Sequence, residues 1–255
     1  MKTFYTYEGI YAENLPATNL EKEIRDFYKN NRLLGQKNQF EAKQRQFRLI
    51  ERAADRISDQ KLGDLPEARK TILKNLENIY DKMKDDYETM TIDGEEEDIK
   101  FLSLIANYLE PNEKFIVDGC CGTGLDITAL AKIKSDRQFI GYDMSKKLIE
   151  RANERKKRLG MKNLQFIIAE QSELPFANET ADVLIMKNTA VEESLLPEIQ
   201  EYYRIDSSIP YVYEMRWRDI YRILKPNGTY ITFQNFPIKP WAKLPGLKYQ
   251  GRLIW

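Results

Sequence analysis

The chain of 255 residues contains no histidine. That absence excludes Ser-His-Asp and Cys-His catalysis and every histidine-ligated metal site. Any general base must then be a carboxylate, tyrosine, lysine or cysteine. Cysteine is scarce as well. The two present, Cys120 and Cys121, are neighbours in sequence and cannot staple separate elements together. A disulfide framework is excluded, and a reduced, cytoplasmic setting is expected. No run approaches the roughly 18 apolar residues of a membrane span, and the N-terminus lacks the apolar stretch of a signal peptide. Net charge is zero, with 40 basic residues against 40 acidic ones. A neutral chain has no global attraction to nucleic acid or anionic lipid, so neither is an expected partner. No metal is expected either.

Against these absences one run stands out. Residues 115–124 read Phe-Ile-Val-Asp-Gly-Cys-Cys-Gly-Thr-Gly. Phe115 to Val117 is a short apolar run of the kind a buried parallel strand uses. Asp118 closes it. Gly119, Gly122 and Gly124 then let the backbone turn and approach a ligand closely. Leu125 to Ile133 reads as a helix. Strand, carboxylate, glycine loop and helix form a nucleotide-type site at the carboxyl end of the first strand of an open α/β sheet.

Glycine order separates two cofactor classes. The dinucleotide fingerprint is G-x-G-x-x-G, with a pyrophosphate on the helix N-terminus. Here the order is G-x-x-G-x-G with a carboxylate directly in front. An anion repels a pyrophosphate but favours a ligand that carries an ammonium and a sulfonium. An NAD enzyme is therefore the least favoured reading.

The run resembles motif I, D-x-G-x-G-x-G, of class I S-adenosylmethionine-dependent methyltransferases. Cys120 stands where the motif has its first glycine. A second stretch, Gly141-Tyr-Asp-Met-Ser-Lys-Lys-Leu-Ile-Glu-Arg-Ala152, resembles motif II of the same family. Asp143 ends the second strand, where a carboxylate accepts both ribose hydroxyls. Ser145 is placed to cap the following helix. Further on, Glu173-Leu-Pro-Phe176 followed by Ala181-Asp-Val183 resembles the "LPF…FDVV" stretch of small-molecule members. Ile223 to Gly228 resembles the turn before strand five, with Asn227 in place of a glycine. Upstream, Tyr80 to Glu88 resembles the family's lid segment F-D-x-x-A-x-x-Y-D. The resemblance spans roughly residues 80–234.

It implies S-adenosylmethionine as cofactor, with Asp118, Gly119, Cys120, Gly122 and Gly124 around its methionine half. It also implies Asp143 on the ribose, Met144 against the adenine, Glu170 on the adenine amino group and Gln171 beside it through its backbone. Lys187 would face the methionine part through its backbone, and Tyr87 would lie near the cofactor carboxylate. No catalytic residue follows from the motifs. Glu192 and Glu193 are candidates for a base or an acceptor anchor, within a tyrosine-rich segment spanning residues 188–221.

The expected fold is α/β, a Rossmann-like doubly wound and mostly parallel sheet. Strands are expected near 115–118, 138–142, 164–168, 182–186 and 229–234. Helices in this part are expected near 124–133, 146–158, 194–203 and 212–223. Residues 1–92 are charged and glycine-poor and form an expected helical extension, with residues 93–255 as the cofactor-binding domain. Within the extension, helices are expected near 18–33, 38–60 and 66–89, with another near 96–109 opened by the acidic run Glu95 to Asp98. Phe40, Phe47, Ile50, Ala54 and Ile57 mark an apolar stripe, as do Ile72, Leu76, Ile79, Met83 and Tyr87. Only about twenty residues follow strand five, so a shortened C-terminal end and a bare neighbouring sheet edge are expected. The N-terminal helices or a partner subunit, a homodimer included, would cover it. The expected function is methyl transfer to a small molecule or metabolite. Two alternatives are a non-catalytic S-adenosylmethionine-binding subunit of a complex and, from the locally basic segment Lys29 to Arg48, an RNA methyltransferase.

Overall fold

The computed structural model describes residues 3–8, 18–58, 65–171, 173–187 and 218–234. Their centre is a six-stranded sheet in which every adjacent pair is parallel. The strands are β1 (Thr3–Glu8), β2 (Phe115–Gly119), β3 (Gln138–Asp143), β4 (Leu164–Ile168), β5 (Ala181–Lys187) and β6 (Leu224–Gln234). Their order is β1-β6-β5-β2-β3-β4. From β2 the chain winds outward through β3 and β4, then crosses to β5 on the other side. The sheet therefore reverses direction between β2 and β5. The crevice outside their carboxyl ends is where open α/β sheets take ligands.

The central strands β2 and β5 are mostly apolar and buried because both faces are covered. Ile116, Phe139, Val183 and Ile185 enter one core, while Val117, Tyr142, Leu184 and Met186 enter the other. The first core is packed by α5 (Glu95–Tyr108), α6 (Leu125–Ile133), α7 (Lys146–Arg158) and α1 (Glu21–Asn31). The second takes Leu174 and a helical turn at 218–223, through Ile220 and Ile223. The remaining helices are α2 (Gln39–Ser58), α3 (Leu65–Met83) and the single turn α4 (Tyr87–Met90).

The five expected strands are present, and the α/β, doubly wound reading holds. β6 begins earlier than expected. Its ladder with β5 is irregular after Leu224, and it contains the Lys225–Gly228 turn, where Asn227 takes φ 72°. Asparagine tolerates that conformation because its short side chain bonds locally. The helices expected near 194–203 and over most of 212–223, together with Glu192 and Glu193, lie outside the described residues.

Residues 3–8 depart from the expected helical extension. They form β1, which runs parallel to β6 in register from Thr3↔Thr229 to Glu8↔Gln234. The edge expected to be bare beside β6 is therefore covered by the chain itself. The acidic run opens α5 as expected. The apolar stripe of α3 also holds, with Ile79 and Met83 buried. In the stripe of α2, Phe40 and Phe47 are 68% and 64% exposed, and the side chains of Ile50, Ala54 and Ile57 lie outside those described. The face that α2 buries carries Ala42 and, toward α3, Leu49.

Candidate cofactor site

The glycine loop follows β2 and places three residues in left-handed backbone: Cys120 at φ 54°, Gly122 at φ 57° and Gly124 at φ 70°. Gly124 opens α6, and a methyl group on it would lie 2.4 Å from the ring of Phe166. No larger residue fits there. At Gly122 an added Cβ would meet the Tyr87 ring at 2.8 Å. The expected lid residue Tyr87 thus packs directly on the glycine loop, from α4.

Cys120 pays a conformational cost that glycine would not, since left-handed backbone is unfavourable for residues with a Cβ. Its thiol points toward Gln171, with Sγ 3.7 Å from Oε1. The Gln171 amide in turn donates to Met186 Sδ at 3.3 Å. Cys120 packs against the second core and Cys121 against the first, so the two side chains diverge to opposite faces of the sheet. Burial, together with Asp118 and Asp143, pushes the Cys121 thiol well above its ordinary pKa, which makes it a poor nucleophile.

Asp143 ends β3 and is 7% exposed. Its Oδ2 accepts from the Gly122 amide at 2.9 Å, and its Oδ1 from the Ser145 amide at 2.9 Å. The carboxylate therefore ties the glycine loop to the start of α7. Each oxygen keeps a further lone pair for a ligand hydroxyl. Burial raises its pKa, opposed by these backbone amides. Ser145 caps α7 as expected, its Oγ accepting from the Leu148 amide at 3.2 Å. Ser145 Oγ also donates to Asp81 Oδ1 at 2.6 Å, so α3 reaches the same corner. Met144 and Glu170 are half-buried beside these strand ends, and Gln171 is buried. The backbone C=O of Asp143 accepts from the Ala169 amide at 3.1 Å, which draws the 169–171 segment to Asp143.

The β2 and β5 ends differ in character. Asp118 is buried, and its carboxyl is pushed well above the ordinary range by burial and by the nearby Asp126. Lys187 was expected to act through its backbone. Its ammonium bridges Asp126 Oδ2 at 2.5 Å and Asp98 Oδ2 at 2.6 Å. Asp126 Oδ1 also accepts from Tyr28 Oη at 2.5 Å. The two partners raise the Lys187 pKa against the effect of burial. Asp126 is lowered despite burial, chiefly by Lys187. Asp98 is raised by burial, with Lys187 opposing, and its Oδ1 is buried without a hydrogen-bond partner. Three carboxylates, Asp98, Asp118 and Asp126, thus gather about one ammonium at the strand ends. This is a site short of positive charge, and the carboxylates and glycine backbone suit a ligand carrying a sulfonium and an ammonium.

Sequence reasoning missed Asp98, Asp126, Tyr28 and Asp81, which sit on three helices of separate sequence regions and on the glycine-loop helix. Among the described residues no cluster suits a metal ion, and no helix is long and apolar enough to cross a membrane. The basic segment Lys29 to Arg48 is partly consumed within the fold. Arg32 pairs with Glu95 at 2.8 Å, while Arg45 and Lys37 reach Asp86 at 2.5 and 3.5 Å.

Sheet order, switch-point crevice and carboxylate-led glycine loop define a nucleoside-binding α/β domain of the methyltransferase type. Residues 109–236, half of the chain, match the family model described as a methyltransferase domain. The chain belongs to this family, that of the class I S-adenosylmethionine-dependent methyltransferases, and S-adenosylmethionine is the cofactor that membership brings. It is 30% identical over 114 residues to an arsenite methyltransferase of Halobacterium salinarum, an alignment covering 44% of this chain and 25% of that one. The chain thus spans about a quarter of the length of the curated relative it matches. Among solved structures it is similar to an S-adenosylmethionine-dependent methyltransferase of Methanococcus maripaludis described as putative, with TM-score 0.41, 23% identity, and 52% of this chain and 53% of that one covered. It is also similar to one from Aquifex aeolicus, with TM-score 0.38, 19% identity, and 50% and 60% covered.

Proposed function

We propose that this protein is an active S-adenosylmethionine-dependent methyltransferase acting on a small molecule or metabolite. One observation carries the reading. Asp118 is held as a buried carboxyl with a raised pKa at the switch point, and a cationic ligand is what would make its ionised form stable. The cofactor would supply a methyl group on a sulfonium for in-line displacement, a reaction in which positioning provides much of the rate. In this reading the glycine loop and Asp118 hold the methionine half. Asp143 accepts from the ribose hydroxyls, and Met144, Glu170 and Gln171 border the adenine. Lys187 and Tyr87 close the methionine end.

The same reading makes residues 1–92 part of the site. Tyr87 on the loop, Asp81 on the start of α7 and Tyr28 on Asp126 all support it. Arsenite is an acceptor worth testing, given the halobacterial relative, but Cys120 and Cys121 diverge and offer no joint dithiol for it. The test is incubation of the full chain with a metabolite extract and methyl-labelled S-adenosylmethionine, read by mass. A labelled small product is expected. Cofactor binding in calorimetry with no product from any extract or RNA would favour a non-catalytic subunit.

A further inference from the structure

Glu88 and Arg155 form an ion pair that the cofactor reading does not use. Their side chains are 2% and 0% exposed. Glu88 lies on α4 and Arg155 on α7, beneath the glycine loop. Arg155 Nη2 donates to Glu88 Oε1, and Arg155 Nη1 donates to the Thr123 carbonyl at 2.5 Å. Thr123 Oγ1 donates to the same Glu88 oxygen at 2.5 Å. Thr123 is the residue between Gly122 and Gly124, so its carbonyl and its hydroxyl are both fixed from below. The other side of the pair is anchored in the extension. Glu88 Oε2 accepts from the Leu33 amide at 2.6 Å, and the Glu88 carbonyl accepts from Arg32 at 2.7 Å. Arg155 also donates to the Asn31 carbonyl at 3.3 Å.

Burying two charges costs several kcal/mol per ion, which good geometry only partly offsets. Such a pair is a poor way to add stability. It is a good way to fix a backbone segment, because a planar guanidinium fork sets direction as well as distance. The segment fixed here holds three residues in left-handed backbone, at Cys120, Gly122 and Gly124. Nothing else among the described hydrogen bonds holds the Thr123 hydroxyl or carbonyl.

We infer that Glu88 and Arg155 are positioning residues that hold the glycine loop in its cofactor-binding shape through Thr123, and so make cofactor affinity depend on the docked N-terminal extension. The inference rests on the cofactor reading proposed above. It concerns residues that meet the glycine loop from beneath, at Thr123.

The test is calorimetric titration of the full chain with S-adenosylmethionine, at a temperature where circular dichroism reads each variant as folded. Glu88→Gln keeps the shape and removes the charge, and its dissociation constant should rise about tenfold, the loss of charge-assisted bonds. Thr123→Val leaves the ion pair in place and removes only the loop hydroxyl. Its dissociation constant should rise about threefold to fivefold, the loss of one hydrogen bond. A pair that serves stability alone would lower the melting temperature of Glu88→Gln and leave the affinity of both folded variants at the wild-type value. That result overturns the inference. Should Glu88→Gln fail to fold, Thr123→Val decides in the same sense. Failure of the wild-type chain to bind S-adenosylmethionine would instead overturn the cofactor reading itself.

Discussion

The glycine-loop half of this molecule and its N-terminal half are built on opposite principles. From β2 to β5 each functional residue stands at a strand end, a few residues from the turn that positions it. Asp118 is the penultimate residue of β2, Asp143 closes β3 and Lys187 closes β5. In the N-terminal half the functional contacts are long-range. Tyr28 meets Asp126 98 residues away, Asp81 meets Ser145 64 residues away, and Glu88 meets Arg155 67 residues away. In the proposed reading the first half supplies the site's chemistry and the second supplies its shape. The two are joined through the shared core, at Tyr28–Asp126 and Asp81–Ser145, and at the glycine loop, between Tyr87 and Gly122 and between Glu88 and Thr123.

The comparison breaks most visibly if the extension is removed. Ile24 and Tyr28 belong to the same core as the α5 and α6 residues, so truncation at Gly94 strips side chains from the main core. It also removes β1 and the loop supports. The shortened chain is expected to be insoluble, or to bind S-adenosylmethionine at least about a hundredfold more weakly, since several charge-assisted contacts are lost together. Gel filtration and calorimetry of residues 95–255 provide the check. A soluble monomer with full-chain affinity would make the extension a separate module.

Asp143→Ala tests the other half. The carboxylate accepts two backbone amides and is the proposed ribose acceptor, so its loss acts on both stability and affinity. Cofactor affinity should fall about tenfold or more, and the orphaned Gly122 and Ser145 amides should lower stability by about 1–3 kcal/mol. Calorimetry and thermal melts of the free protein separate the two effects. Lower stability with unchanged affinity would restrict Asp143 to tying the loop to α7.

How much could be read from sequence follows the same division. The strands, α6, α7 and the Ser145 cap depend on local patterns, an apolar run or a polar residue at a fixed offset, and these are visible in one stretch of chain. β1 was not legible. Thr3 to Glu8 is rich in aromatic and threonine residues, but nothing local says that its partner is Thr229 to Gln234. The α2 stripe misled because Phe40 and Phe47 have the spacing of a buried face, while tertiary packing turns Ala42 inward. Arg155 left a signal that charge concealed. It falls three residues after Ala152 and seven after Leu148, on the buried face of α7, yet within the basic run Arg155 to Arg158. A charge in register with an apolar stripe needs a buried partner. Lys187 and Asp98 lie 89 residues apart, and no sequence pattern joins them.

A smaller effect is expected from pH. Burial raises the Asp118 carboxyl in the free protein, so the folded chain holds that proton more tightly than the unfolded one. Its contribution to stability is complete below the ordinary carboxylate range and is lost as pH rises through the raised value. Binding a sulfonium and an ammonium reverses the preference and expels the proton. Affinity for S-adenosylmethionine should therefore strengthen severalfold as pH rises from the ordinary carboxylate range through the raised value of Asp118. Binding should release protons, as read by calorimetry in buffers of different ionisation enthalpy. Asp118→Asn should flatten the profile. A flat wild-type profile, or proton uptake on binding, would place the Asp118 carboxyl away from the cation.

The smallest effect concerns Cys120, where this chain departs from the glycine of the motif it resembles. Left-handed backbone costs a residue with a Cβ about 1–2 kcal/mol relative to its preferred conformation. Glycine escapes that cost but gives up about 0.5–1 kcal/mol more on folding, because its unfolded state is freer. The difference favours Cys120→Gly by a few tenths to about 1 kcal/mol. For a chain of this size that is a rise in melting temperature of about 2 °C. The thiol contact to Gln171 is long and weak, so its loss should not reverse the sign. Affinity for S-adenosylmethionine should stay within about twofold, because the supports at Thr123 and Asp143 are untouched and the substitution removes none of the charge-assisted contacts that set affinity. A clear loss of affinity with unchanged or higher stability would mean that the thiol meets the ligand, and that the strain at Cys120 is kept for binding.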